Sequence, residues 1–139
     1  MRTINVSLDV GAHAPTRAHD TDAGMDLYSR EDAIVREGGS HIFRTGVHVQ
    51  LPHGTGGRVA SKSGLNIFSD IITTGLVDEG YTGEVLVKLY NLGDNAYQVR
   101  KGDKIAQLVV FDVHYGTPVV VPRIGGGARG NHGFGSTGR

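Results

Sequence analysis

The side chains in this sequence that could do chemistry gather in five short stretches. Asp26 lies in Ala23-Gly24-Met25-Asp26-Leu27-Tyr28-Ser29, and Lys62 and Ser63 lie in Gly57-Arg58-Val59-Ala60-Ser61-Lys62-Ser63-Gly64-Leu65. Asp78 and Tyr81 lie in Gly75-Leu76-Val77-Asp78-Glu79-Gly80-Tyr81-Thr82-Gly83-Glu84-Val85. Gln107 lies in Gly102-Asp103-Lys104-Ile105-Ala106-Gln107-Leu108, and the last stretch runs Arg129-Gly130-Asn131-His132-Gly133-Phe134-Gly135-Ser136-Thr137-Gly138. A strand core requires none of this mixture of carboxylates, hydroxyls, cations and glycines. A carboxylate can take a proton from water or hold a hydrated cation. Hydroxyls, cations and free backbone N–H groups hold phosphate. Tyr81 and Phe134 offer flat faces to a sugar or a base.

Other chemistries are excluded. With no cysteine in 139 residues there is no disulfide, thiolate metal site or cysteine nucleophile. The seven histidines form no H-x-x-x-H pair, which argues against structural zinc. Gly133-Phe134-Gly135-Ser136-Thr137-Gly138 matches G-x-G-x-x-G, but the sequence stops one residue later, so the helix that motif must open is missing. The P-loop pattern is absent, and Asp20–Asp26 departs from a calcium loop at its third ligand and at the closing glutamate.

The elements that must position these stretches read as strands. Ile4, Val6, Leu8 and Val10 alternate as in a half-buried strand. Further strand-like runs are Met25–Ser29, Ala33–Arg36, His41–Leu51, Arg58–Ser61, Asp70–Thr73, Glu84–Tyr90, Tyr97–Arg100, Lys104–His114 and Val119–Val121. Turn chemistry recurs about every ten residues, which predicts an all-β sandwich or barrel. Only Gly64–Asp70 has room for a turn or two of helix. Residues 1–124 read as one domain. Residues 125–139, GGGARGNHGFGSTGR, read as a flexible arm: a single large apolar side chain cannot order it, yet it carries the parts a nucleotide needs.

Composition narrows the partners. Fourteen Lys and Arg against 14 Asp and Glu leave a formal net charge of zero, which predicts no stable nucleic-acid binding. No apolar run approaches the ~20 residues that span a bilayer, and the N-terminus lacks a signal-peptide run, so the expected location is the cytoplasm.

Together, in order and spacing, the five stretches resemble the five motifs of the trimeric dUTP pyrophosphatases (dUTPases), over about residues 4 to 138. The resemblance implies a jelly-roll β-sandwich subunit in a homotrimer, with active sites at subunit interfaces. It implies Mg²⁺-dependent hydrolysis of dUTP to dUMP and pyrophosphate, by water attack on the α-phosphorus, which keeps uracil out of DNA. Residue by residue, it implies that Asp78 activates the water and holds the sugar 3′-hydroxyl. The backbone at Gly75 and Leu76 approaches the uracil, and Tyr81 packs under the deoxyribose and leaves no room for a 2′-hydroxyl. Lys62, Ser63, Gly64 and Gln107 contact phosphate, and Asp26 holds Mg²⁺ through water. From the arm, Arg129 contacts phosphate, Phe134 stacks on the uracil, and Ser136 and Thr137, beside Gly135, bind the γ-phosphate.

Two features depart from the family pattern. Ser61-Lys62-Ser63-Gly64 replaces the usual Pro-Arg-Ser-Gly, which keeps the charge and loses the bidentate fork. Ile72-Thr73-Thr74 lacks an asparagine some relatives carry there, so uracil recognition is expected to rest on backbone. Two alternatives stay open. One is a dCTP deaminase of the same fold, with Glu79 or Glu84 shuttling protons. The other is a regulatory or binding protein built on the dUTPase fold.

Overall fold

The computed structural model describes residues 3–138; Met1 and Arg2 of the expected domain and Arg139 of the expected arm lie outside the described residues. Ten strands and one short helix follow one another: β1 (Asn5–Leu8), β2 (Gly24–Tyr28), β3 (Ala33–Val35), β4 (Ser40–Gln50), β5 (Thr55–Ala60), α1 (Ser63–Ser69), β6 (Ile71–Ile72), β7 (Thr74–Val77), β8 (Glu84–Asn91), β9 (Tyr97–Val99) and β10 (Lys104–Asp112). They form two four-stranded sheets, ordered β1-β4-β8-β6 and β2-β10-β5-β7, with a small β3-β9 pair. Every ladder is antiparallel. The result is the expected all-β jelly-roll sandwich.

Strand β8 shows why the sequence folds this way. Val85, Val87, Leu89 and Asn91 point inward while Leu86, Lys88 and Tyr90 point outward, the period-2 alternation of a sheet with one buried face. The inward set meets Phe43 and Val47 of β4 and Leu27, Ile105 and Leu108 of the second sheet, all fully buried. Each such side chain contributes roughly 1.5–3 kcal/mol by leaving water. Buried Asn91 is fully used: its amide donates to the carbonyls of Val35 (2.9 Å) and Asn95 (2.8 Å) and its oxygen accepts from the Gly93 N–H (2.9 Å).

Three expectations change. Strand β1 forms, but Val6, Leu8 and Val10 are exposed and only Ile4 packs on the core, because β1 is an edge strand that the second sheet does not cover. Val119–Val121 is no strand: it pairs with nothing, and every residue from 114 to 138 is exposed. Strand β7 appears where no strand was expected. Gly75 weakens its local signal, and pairing with β5 supplies what the sequence lacks. The expected helix is α1, which stops where Asp70 takes the left-handed conformation (φ 54°) and sends its N–H back to the Leu65 carbonyl. Among the described residues no helix is long and apolar enough to cross a membrane.

Candidate active site

The middle of the second sheet gathers the first, second and fourth sequence stretches. Asp26 of β2 lies beside Gln107 of β10, and Gln107 lies beside Ala60 of β5, so the three occupy one row across the sheet. Lys62 and Ser63 follow β5 directly. The Asp26 carboxylate is buried and accepts from two ammonium groups, Lys62 Nζ on Oδ1 and Lys104 Nζ on Oδ2 (2.9 Å). Burial pushes this carboxyl up, but the two lysine hydrogen bonds outweigh it and hold the group below the usual carboxylate range. The same bond to Asp26 raises Lys104. Lys104 reaches Asp26 because the β2–β10 register slips between Lys104 and Ala106, a bulge that re-aims the side chain. The Gln107 amide donates to the Ser61 carbonyl (2.9 Å). It fits against the sheet only because residue 24 is glycine, since a Cβ there would lie 2.3 Å from Gln107 Oε1.

The departure at Ser61 is accommodated locally. Its hydroxyl donates to the Thr73 carbonyl (3.0 Å) and accepts from the Thr73 N–H (2.9 Å), which fastens the end of β5 to the start of β7. Ser63 and Gly64 form the exposed first turn of α1.

The third stretch starts beside the row of Asp26, Gln107 and Ala60, where Gly75 pairs with Val59, and runs to the opposite end of the same ladder. Val77 pairs with Gly57 and Thr74 with Ala60, so Asp78 is level with residue 56 and Lys62 lies six residues further along. At about 3.3 Å per residue that is about 20 Å. Asp78 is exposed and makes no side-chain hydrogen bond or ion pair among the described residues. Its carbonyl accepts from the Tyr81 N–H (3.1 Å), closing the turn. The Tyr81 hydroxyl donates to the Glu84 carbonyl (2.9 Å), and its ring lies over Gly83, where a Cβ would sit 2.5 Å from the phenol oxygen. Leu76 is exposed and, with Asp78 and Gly80, lines a cleft of about 660 Å³ walled by Phe111, Val113 and Tyr115.

The fifth stretch touches neither end. Arg129 donates to Ser136 Oγ (2.9 Å) within the arm, and Phe134 is wholly exposed. Thus the single chain brings together Asp26, Lys62, Ser63, Gly64 and Gln107, sets Gly75 and Leu76 next along the ladder against Val59 and Arg58, keeps Asp78 and Tyr81 apart from the first group, and leaves Arg129, Phe134, Gly135, Ser136 and Thr137 in solvent. Sequence reasoning missed the part of Lys104 in holding Asp26 and the spacing parts of Gly24 and Gly83. All three lie inside the quoted stretches, but their contacts depend on strand register.

Two further carboxylates are already engaged. Glu84 is held by Arg44 (2.9 and 2.8 Å) and the Gly46 N–H (2.8 Å), which overcome the upward push of burial and keep it ionised. Glu79 accepts from the Tyr115 hydroxyl, the His53 ring (2.6 Å) and the Gly54 N–H (3.2 Å), which lower it below its ordinary value. Among the described residues no group of three or more His, Asp or Glu could hold a metal directly. Asp26 alone, its oxygens each retaining a lone pair, fits a hydrated ion held through water.

Comparison with known proteins shows the family. The dUTPase family profile matches residues 11–138. The deoxyuridine 5′-triphosphate nucleotidohydrolase of Clostridium tetani is 40% identical over 131 residues, covering 92% of this chain and 90% of that one. The enzyme of the same name from Eremothecium gossypii is 41% identical over 139 residues, covering 98% and 91%. Among solved structures, the dUTPase of Staphylococcus bacteriophage 80alpha with dUpNHpp superposes with a TM-score of 0.92 at 28% identity, covering 100% of both chains. A variant of the phage phi11 dUTPase, described with a structural Mg(II) ion, gives 0.82 at 26% identity over 88% of this chain and 99% of that one. A β-sandwich carrying all five stretches in order, matched over nearly its whole length, belongs to the dUTPase family.

Proposed function

We propose that this chain is a dUTP diphosphatase that hydrolyses dUTP to dUMP and pyrophosphate. The observation that carries the reading is Asp78: an exposed carboxylate with no side-chain hydrogen bond among the described residues, in a β7–β8 turn whose glycines and Tyr81 can close around a deoxynucleoside. Asp78 takes the proton of the attacking water, a role that contributes about 10²- to 10⁴-fold. Lys62, Ser63, the Gly64 backbone and Gln107 hold the phosphates, where fixed charge and positioning matter most. Tyr81 excludes ribose, and Gly75 and Leu76 offer backbone to the uracil. Asp26 holds a hydrated Mg²⁺, which when bound neutralises phosphate charge. Residues 125–139 act as the arm that closes over a site on the domain of residues 1–124, placing Arg129, Phe134, Gly135, Ser136 and Thr137 on the nucleotide and excluding bulk water.

The separation of about 20 Å between Asp78 and Lys62 along the β5–β7 ladder supports a homotrimer in which one subunit's phosphate residues face another's β7–β8 turn. The unpaired apolar run Val119, Val120 and Val121, with Ile124, gives each subunit a segment to lay on a neighbour. The proposed location is the cytoplasm, where a soluble nucleotide substrate is available. The deaminase alternative loses support, because Glu79 and Glu84, its candidate proton carriers, are both tied up as ions. The test is pyrophosphate release from dUTP, with dTTP, dCTP and UTP as controls, beside light scattering for the trimer. Equal turnover of dTTP, or ammonia from dCTP, overturns the reading.

A further inference from the structure

Among the described residues no side chain hydrogen-bonds the Asp78 carboxylate, although Tyr115 lies close enough to feel its charge, so its direction is set chiefly by the turn from Asp78 to Tyr81. The Asp78 carbonyl accepts from the Tyr81 N–H, and the Tyr81 hydroxyl donates to the Glu84 carbonyl at the start of β8. What ties the turn to the rest of the sandwich is the next residue. The Glu79 carboxylate spends both oxygens outside the turn: one accepts from His53, and the other from the Gly54 N–H and the Tyr115 hydroxyl. His53 and Gly54 belong to the β4–β5 turn, and Tyr115 follows β10. Two other segments therefore meet on one side chain, beside the cleft that Asp78, Glu79 and Tyr115 line together.

We propose that Glu79 is a positioning residue for Asp78, and that Tyr115 and His53 act through it. The argument is geometric. A charge-assisted bond is about twice as strong as a neutral one, and three of them on one carboxylate fix the backbone one residue from the reacting group. A misplacement of about 1 Å at a reacting group can cost about 10²-fold in rate. The proposal rests on the reading of Asp78 as the group that activates water. Phosphate and base contacts come from other residues, so loosening Glu79 slows the chemical step and spares binding.

The experiment measures kcat, KM and the Kd of a nonhydrolysable dUTP analogue for Glu79→Ala, Glu79→Gln, Tyr115→Phe, Asp78→Asn and the double variant Asp78→Asn/Glu79→Ala, with Tm for each. Glu79→Ala is expected to lower kcat about 10- to 100-fold with the analogue's Kd within about twofold. Tyr115→Phe, which removes one hydroxyl, should lower kcat about 3- to 10-fold at unchanged Tm, and Glu79→Gln, which keeps an accepting oxygen, should recover most of the loss. The double variant should be no slower than Asp78→Asn, since a group that acts through Asp78 has nothing left to position. Wild-type kcat in both Glu79→Ala and Tyr115→Phe overturns the proposal while a crippled Asp78→Asn leaves the catalytic reading intact. Additive losses in the double variant also overturn it. A near-wild-type Asp78→Asn instead overturns the catalytic reading itself.

Discussion

Asp26 and Asp78 are the same side chain in opposite circumstances. Asp26 is buried and held between two lysines; Asp78 is exposed and has no side-chain partner among the described residues. The first has its charge balanced by two lysines before any ligand arrives, and in the proposed reading it meets Mg²⁺ only through water. The second is left unsatisfied, as its proposed role of taking a proton from water requires. The contrast sets a carboxylate on which stability depends against one on which it does not, and substitution at each place should separate the two.

The largest effect is expected at the bare carboxylate. Asp78→Asn should lower kcat by about 10³-fold, within the range that general-base assistance spans. Its Tm should stay within about 1 °C of wild type, because an exposed and unpaired side chain contributes little to stability. Steady-state kinetics beside a thermal melt checks both halves, and a large fall in Tm would place Asp78 on the structural side of the comparison. Truncation after residue 127 comes next. The arm packs on nothing in its own chain, so the truncated protein should keep its fold while losing about 10²-fold in kcat through stacking on Phe134 and phosphate contacts.

Asp26 should behave in the reverse way. Asp26→Ala leaves Lys62 and Lys104 facing each other without their anion. Their side chains are 29% and 44% exposed and can turn into water, so the loss should fall below that of a fully buried pair, at about 1–3 kcal/mol. Tm should fall by about 5–10 °C. The acid limb follows from the sign of the shift. A carboxyl lowered in the folded state contributes stability above its unfolded value near 4 and loses it as pH falls through the lower folded value. Melting curves from pH 7 down to about 3 should therefore drop more steeply for wild type than for Asp26→Asn; parallel curves would show that the two lysines do not stabilise the ion.

How much of this was legible in the sequence depends on whether the deciding contact is local. The alternation of β8 reads directly, because one strand presents its own period. So do the five stretches, since each is contiguous. Val119–Val121 misled for the same reason: β-branched residues mark a run that can pair, and no partner lies in this chain. β1 gave the right strand and the wrong burial, because cover by a second sheet is a tertiary fact. Lys104 on Asp26 needs a bulge, and Tyr115 on Glu79 joins residues 36 apart. Neither leaves a mark in the spacing of the residues involved.

The smallest effect is expected at the family departure, Lys62. An arginine there would restore the planar fork that the usual sequence carries. In this chain, however, the ammonium already reaches Asp26, and Lys104 supplies the second bond from the other side. A fork would meet a carboxylate whose two oxygens each already accept from one lysine, so its extra donors would go to phosphate. Lys62→Arg should thus change KM for dUTP by less than about threefold and leave kcat alone, whereas Lys62→Met, which removes the cation, should raise KM by about tenfold. Equal KM values for the lysine and methionine forms would mean that Lys62 serves Asp26 alone, and would move it from the group that meets the nucleotide to the group that holds the sheet.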